Sequence, residues 1–145
     1  MLYQNTDCTY SHTVKLLDIF LGCANVIFDK DHTAKVRRAL YGTASEHRLP
    51  PHGLEYRCLG PYVLQSPKLV ELALDLSDYA LTPIRRGKEK ELLKSIDARK
   101  VQAAINTCDV QLAEQVLTEA GLPTKLMERV KHDYGAPDLY KAWAL

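Results

Sequence analysis

The stretch ALYGTASEHRLPPHGLEYRCLGP, residues 39–61, decides the predicted fold, because it contains the clearest strand pattern in the chain. From Gly53 to Leu59, apolar and polar residues alternate, which is typical of a strand with one apolar and one polar face. The prolines at positions 50 and 51 exclude a helix just before this segment and favour a turn. The stretch therefore predicts a strand that is entered through a proline turn.

Three charged side chains of this stretch fall where they can meet. Glu55 and Arg57 lie two residues apart and share the polar face of the strand, about 7 Å apart along it. Arg48 precedes them across the proline turn and can reach the same face. A carboxylate flanked by guanidinium groups suits a site where Mg²⁺ bridges phosphate oxygens. The alternative, which composition alone favours, is a salt-bridged piece of scaffold, since such pairs on solvent-facing strands are common.

The segments upstream of this stretch predict two helices with a strand between them. Ser11 is expected to cap a helix that ends at Gly22. The short apolar run from Cys23 to Phe28 is expected to form a strand. Asp31 then opens a predicted helix that ends at Gly42 and carries two adjacent arginines, 37 and 38, on its surface.

Downstream of the stretch the chain is predicted to be helical. Ser66 and Pro67 form a strong helix start, and Pro83 is expected to break that helix. From Lys88 onward all segments have helical periodicity, and the apolar tail is expected to dock on the body. The result is a single domain, 1–145, with an α/β portion at 1–82 and a helical portion at 83–145.

The composition excludes several function classes. The chain has 145 residues, of which 46% are hydrophobic and 26% charged, as in ordinary globular domains. A net charge of +1 gives no electrostatic case for binding nucleic acid or a membrane surface. Four scattered cysteines without a Cys-x-x-Cys pair indicate reduced thiols in a cytoplasmic protein. No apolar run is expected to approach the ~18 residues that a membrane span requires.

Three motifs occur in the order in which one enzyme family has them. They are LLDIFLG (16–22), RRALYGTASEHR (37–48) and HGLEYRCLG (52–60). In these motifs the chain resembles the phage-type amidoligases, or carboxylate–amine ligases, which belong with glutamine synthetase and glutamate–cysteine ligase. The family pattern is approximately RR-x-x-YG-x-A-G-x-x-R followed by YG-x-EYR. This sequence departs from it at Ser45, which replaces a glycine, and at His52, which replaces a tyrosine.

The resemblance implies a fold, cofactors and residue roles. The fold would be α+β, with a small antiparallel sheet fragment of a glutamine-synthetase-like ligase fold and a mostly helical C-terminal half. The cofactors would be ATP and Mg²⁺, because the family enzymes phosphorylate a carboxylate with ATP before an amine displaces the phosphate. Glu55 would bind the catalytic metal. Arg57 would lie near the nucleotide γ-phosphate, and Arg48 would contact the acyl phosphate or substrate carboxylate, which makes both arginines the candidate catalytic and cofactor-binding residues.

The family enzymes also have a preceding half with further metal-binding carboxylates, for which this sequence shows no compensating acidic cluster. One glutamate does not hold the two or more Mg²⁺ ions that the chemistry requires. The leading hypothesis is therefore a truncated, non-catalytic derivative that matches the C-terminal half of an amidoligase. It would bind a protein partner or a nucleotide-like ligand, and as a phage protein it would antagonise host defence, as an anti-CRISPR-type inhibitor does.

Two alternatives remain open at this point. In the first, the chain is an ATP- and Mg²⁺-dependent carboxylate–amine ligase that is completed by self-association or by a separate N-terminal subunit. One or two strands do not make an independently stable sheet, which makes a homo-oligomer plausible. In the second alternative, Arg48, Glu55 and Arg57 pair only with each other in a scaffold domain.

Overall fold

The computed structural model of the protein describes residues 7–134 and 139–144. Its α-helices are α1 (Asp7–Leu17), α2 (Cys23–Phe28), α3 (Ala34–Arg38), α4 (Pro67–Arg85), α5 (Glu89–Ser95), α6 (Ala98–Asn106), α7 (Val110–Glu119), α8 (Thr124–Lys131) and α9 (Leu139–Ala142). Two short strands, β1 (His47–Arg48) and β2 (Glu55–Tyr56), pair in antiparallel fashion. The prediction of an α+β chain with a small antiparallel sheet and a helical C-terminal portion is confirmed at this level, and the glutamine-synthetase-like architecture stays a prediction.

One long helix runs through the centre of the protein. A π-helical turn, Asp18–Gly22, connects α1 to α2, and the backbone stays helical at both junctions. The predicted helix end at Gly22 and the predicted strand from Cys23 to Phe28 are therefore wrong. Every residue from 16 to 28 is buried, so this part of the helix faces the core on all sides and lacks the periodic pattern that identifies a surface helix.

The central helix also corrects the expectation that no apolar segment reaches membrane-spanning length. Residues Tyr10–Phe28 are long and apolar enough to cross a membrane by length and composition alone. However, 83% of the apolar window is buried inside the protein, as expected for a core helix. This segment is accordingly weak evidence for a membrane span.

Two further helices differ from their predicted bounds. Helix α3 begins three residues after Asp31, whose carboxylate instead accepts hydrogen bonds from the backbone N–H and hydroxyl of Thr33. Helix α4 has the predicted cap, with the Ser66 side chain accepting from the Lys68 N–H, but it does not break at Pro83. That proline lies in the last helical turn, where the loss of one hydrogen bond does not end the helix.

The helices of the C-terminal portion close the core around the central helix. Asp97 and Asp109 cap α6 and α7 with their carboxylates, and Gly121, just after α7, adopts the left-handed conformation with φ of 77°. Helix α2 packs mainly on α7 and also contacts α6 and α8, while the π-helical turn packs on α4 and α6. One cluster of buried apolar side chains consequently includes residues from Leu16 to Val130.

The predicted docking of the tail is supported at its tryptophan. The indole N–H of Trp143 donates a hydrogen bond to the carbonyl oxygen of Leu64, with 2.8 Å between nitrogen and oxygen. Leu64 belongs to a 3-10 helical segment, Pro61–Gln65, directly before α4. The tail thus contacts the connection between the sheet and the helical portion.

Candidate functional site

The two strands bring the charged residues of the opening stretch onto one face. Arg48 lies opposite Glu55 in the antiparallel register, and His47 lies opposite Tyr56. Since directly opposed residues of an antiparallel pair share a face, Arg48 and Glu55 point to the same side of the sheet. The predicted strand from Gly53 to Leu59 is reduced to Glu55 and Tyr56, although the backbone N–H of Arg57 still bonds to the Glu46 carbonyl.

We call Arg48, Glu55 and Arg57 the arginine–glutamate cluster. The Nη2 and Nε atoms of Arg48 lie 2.5 Å and 3.2 Å from Oε2 of Glu55, and Nε of Arg57 lies 3.6 Å from Oε1. The side chains of Arg48, Glu55 and Arg57 are 64%, 42% and 34% exposed. The predicted meeting of the three residues is confirmed, and the two guanidinium groups leave one positive charge in excess at an open surface.

Arg57 is further held by an aromatic ring. Its guanidinium carbon lies 5.2 Å from the centroid of the Tyr41 ring, a cation–π distance. Contact with Tyr41, and secondarily the charge of Glu55, raises the pKa of the Arg57 guanidinium above its ordinary value. Arg57 is therefore a permanent cation that is oriented on two sides, as a residue that recognises an anion should be.

The donor set around Glu55 does not fit a centre of two metal ions. Within residues 7–134 and 139–144, no group of three or more histidine, cysteine, aspartate or glutamate side chains is placed to hold a metal ion. Glu55 itself is paired with two arginines, whose charges oppose a nearby divalent cation. The cluster on its own is suited to phosphate or carboxylate oxygens rather than to a metal cluster.

Asp18 is a central residue that sequence reasoning missed. It opens the π-helical turn, is 3% exposed, and accepts hydrogen bonds from the Ser45 N–H (3.0 Å), the Ser45 hydroxyl (2.6 Å) and the Tyr56 hydroxyl (2.7 Å). Asp18 thereby fixes the loop before β1 and the face of β2 opposite Glu55. Its signal in the sequence was an acid inside the apolar run LLDIFLG, because a buried carboxylate requires partners.

Ser45 shows why the family pattern has a glycine at this position. Its φ is 64°, in the left-handed region that favours glycine. The serine adopts it while both its backbone N–H and its hydroxyl donate to Asp18. The departure from the pattern therefore adds a hydrogen bond at the cost of a less favourable backbone conformation.

Gly22 lies in the central helix for a packing reason. A Cβ at this position would lie 2.7 Å from the hydroxyl of Tyr56 and 2.8 Å from Cδ1 of Ile105. Real side chains do not approach that closely, so the glycine lets β2 and α6 reach the helix backbone. This close approach holds Tyr56 against the core. Because Glu55 directly precedes Tyr56 in β2, the arginine–glutamate cluster is positioned by the same contact.

Arg38 corrects the expectation that both adjacent arginines lie on a helix surface. It is 2% exposed, and its Nη1 atom donates to the carbonyl oxygen of Cys58 at 2.7 Å. Arg37 forms a looser ion pair with Asp29 and lies against Gly60. The reason for the error is that the partner of Arg38 is 20 residues away in sequence and becomes available only in the folded chain.

The buried thiols are not suited to nucleophilic chemistry. Burial raises the pKa of Cys23 to about 12 and that of Cys58 to about 11, and the charge of Asp18 adds to both shifts. Both thiols therefore stay protonated near neutral pH. Cys58 is fully buried, as expected for an apolar position in the alternating pattern from Gly53 to Leu59.

The comparisons with known proteins bear on this site. The sequence model of the family described as "Phage phiEco32-like COOH.NH2 ligase-type 2" matches residues 8–131, which include the sheet, the arginine–glutamate cluster and Asp18. No curated protein matches the chain. No solved structure matches it either.

Proposed function

Because this chain belongs to the phage phiEco32-like COOH.NH2 ligase-type 2 family, we propose that its arginine–glutamate cluster binds the phosphate groups of an ATP-like nucleotide. The observation that supports this proposal is the open cluster itself, where two guanidinium groups flank one carboxylate on an exposed face. Arg48 and Arg57 would contact phosphate oxygens, for which their planar donor groups are suited. By itself the chain would bind the nucleotide without turning it over.

The expected lack of turnover follows from the donor set. Glu55 is the one carboxylate of the cluster, and the described residues contain no group of three or more side chains placed to hold a metal ion. Mg²⁺ that accompanies a nucleotide is commonly held by one or two carboxylates together with the phosphates. Glu55 would serve in this way for one ion at most, whereas phosphoryl transfer in a two-metal site needs more ligands.

Calorimetric titration of the purified chain with ATP and Mg²⁺ tests the proposal. We expect binding that Arg57→Gln weakens by at least about tenfold, the usual scale for loss of a charge-assisted hydrogen bond. Arg129→Gln is a matched control, because Arg129 pairs with Asp75 at 2.8 Å and is 37% exposed, close to the exposure of Arg57. Absence of ATP binding by the unaltered chain, or equal weakening by both variants, would contradict the proposal.

Family membership supports a second candidate function, a complete carboxylate–amine ligase. In that case a second copy of the chain or another subunit would supply the missing carboxylates. Measurement of ADP formation with mixtures of carboxylic acids and amines, over a range of protein concentrations, distinguishes the two functions. Turnover that rises more than linearly with chain concentration and is lost in Glu55→Gln favours the ligase, and its absence favours the binding function.

Several predictions from the sequence remain proposals. We propose that the chain binds a protein partner, acts against host defence, forms a homo-oligomer and is located in the cytoplasm. Val36 and Leu40, which are 71% and 91% exposed beside the Tyr41 that contacts Arg57, form the apolar surface that a protein partner would cover. Identification of the proteins that copurify with the chain from its native host, compared with Leu40→Glu, tests this part.

A further inference from the structure

A cavity lies between α2, α3 and the start of α7. Its volume is about 260 Å³, and its lining includes Asn25 from α2 and Arg38 from α3, with Asp29 between them. None of the three residues of the arginine–glutamate cluster lines it. The cavity is therefore a separate place at which a ligand could be held.

Three buried polar side chains line this cavity with atoms that form no hydrogen bond in the described part of the chain. Asn25 is 1% exposed, and neither its amide nitrogen nor its amide oxygen has a hydrogen-bond partner there. The Asp29 side chain is 3% exposed, and its Oδ2 atom accepts no hydrogen bond and has only the loose ion pair with Nη2 of Arg37 at 3.8 Å. Nε of Arg38, which is 2% exposed, has no hydrogen-bond partner there either. Buried polar atoms in proteins are nearly always paired, and each unpaired one costs stability. The arrangement is explained if an occupant supplies the missing partners.

The unpaired atoms define what the occupant must offer. Nε of Arg38 and the amide nitrogen of Asn25 are donors, which suit a carboxylate. Oδ2 of Asp29 and the amide oxygen of Asn25 are acceptors, which suit an ammonium group. Burial raises the pKa of Asp29 although the charges of Arg37 and Arg38 act to lower it, so its carboxylate would still gain from a further cation inside the cavity.

The size and the charge of the cavity further limit which class of molecule could occupy it. A volume of about 260 Å³ is below the range of typical drug-sized or nucleotide pockets, so the occupant is small. The charged lining residues are three cations, Lys30, Lys35 and Arg38, and two carboxylates, Asp29 and Asp31. The cavity therefore carries one positive charge in excess. We propose that this cavity binds a free α-amino acid, with its carboxylate at Arg38 and Asn25 and its ammonium group at Asp29 and Asn25. This site is independent of the nucleotide proposal above.

Calorimetric titration of the whole chain with each of the common L-amino acids tests the proposal. We expect at least one to bind, while acetate and methylammonium, which each offer half of the recognised chemistry, bind at least about tenfold more weakly. Arg48→Gln should leave amino-acid binding unchanged, so a failure of this proposal is distinguishable from a failure of the nucleotide proposal. If no amino acid binds the unaltered chain, water fills the cavity and the proposal is wrong.

Two variants make the test independent of folding defects. Asn25→Leu keeps the shape of the side chain and removes its unpaired atoms, so it should raise the stability of the ligand-free protein while it weakens amino-acid binding by at least about tenfold. Asp29→Asn keeps the size of the side chain and removes the charge that would face the ammonium group, with a similar loss of binding expected. Undiminished binding in both folded variants would overturn the proposed site.

Discussion

Two carboxylates lie on opposite faces of strand β2 and are held in opposite ways. Glu55 is 42% exposed and pairs with two cations, Arg48 and Arg57. Asp18 is 3% exposed and accepts hydrogen bonds from neutral donors, chiefly those of Ser45 and Tyr56. Exposed ion pairs add little to stability, whereas buried acceptors leave costly unpaired donors when they are removed. The comparison indicates that Asp18 stabilises the fold around β2 and that Glu55 contributes little to it, as our proposal that Glu55 exchanges its partners for a ligand requires.

The largest effect that tests this comparison is expected from removal of Asp18. In Asp18→Ala the Ser45 and Tyr56 hydroxyls and the Ser45 N–H lose their acceptor, so the free energy of unfolding should fall by about 3 kcal/mol. Urea unfolding measures it. The matched control is Glu55→Ala, in which no buried donor loses a hydrogen bond. Equal losses of stability in the two variants would contradict the comparison.

A second effect comes from alkaline pH. Burial, with the charge of Asp18 as the second cause, raises the pKa of Cys23 from 9.0 to about 12. The folded protein then keeps a proton that the unfolded chain loses above pH 9, so stability should fall as pH rises from 9 toward 12. Between pH 9 and 11 the loss from this one thiol is about 2–3 kcal/mol.

Urea unfolding at several pH values, with unaltered protein and Cys23→Ala, measures this dependence. The variant should lose less stability over the same interval, because it has no thiol to titrate. Glu55→Gln is the control and should keep the steep decline, since the exposed carboxylate plays no part in the shift. An identical decline in the unaltered protein and in Cys23→Ala would show that the buried thiol does not titrate as described.

A third and smaller effect is expected at Ser45. Ser45→Ala removes the hydroxyl that donates to Asp18 but keeps the left-handed backbone, and should cost about 1 kcal/mol. Ser45→Gly loses the same hydrogen bond and gains a residue suited to φ of 64°, so its stability should stay within about 0.5 kcal/mol of the unaltered protein. The same unfolding measurements decide this, and a larger loss in the glycine variant than in the alanine variant would contradict it.

The contacts of the exposed carboxylate, Glu55, were predicted well from the sequence. The meeting of Arg48, Glu55 and Arg57 follows from a two-residue period and a short turn, both of which are local. The helix cap at Ser66 is equally local and was also predicted correctly. Local patterns suffice wherever a feature depends on near neighbours in sequence.

The contacts of the buried carboxylate, Asp18, and the helix around it could not be predicted from such local patterns. Asp18 finds its partners 27 and 38 residues away, at Ser45 and Tyr56. The helix from Cys23 to Phe28 was mistaken for a strand, because a segment buried on all sides has no polar face to mark its period. These features depend on packing between distant segments, which is fixed only by the complete fold.

The smallest expected effect on stability is also the sharpest test of Glu55. Glu55→Gln removes the charge that pairs with Arg48 and Arg57, but at an exposed surface it should change the free energy of unfolding by less than about 1 kcal/mol. The same change should alter Mg²⁺-dependent ATP binding by at least about tenfold if Glu55 contacts a nucleotide-bound ion. Parallel urea unfolding and calorimetry separate the two readouts. A clear loss of stability without any change in ATP binding would mean that the cluster is a salt-bridged scaffold, and that the two carboxylates beside β2 differ in exposure but not in role.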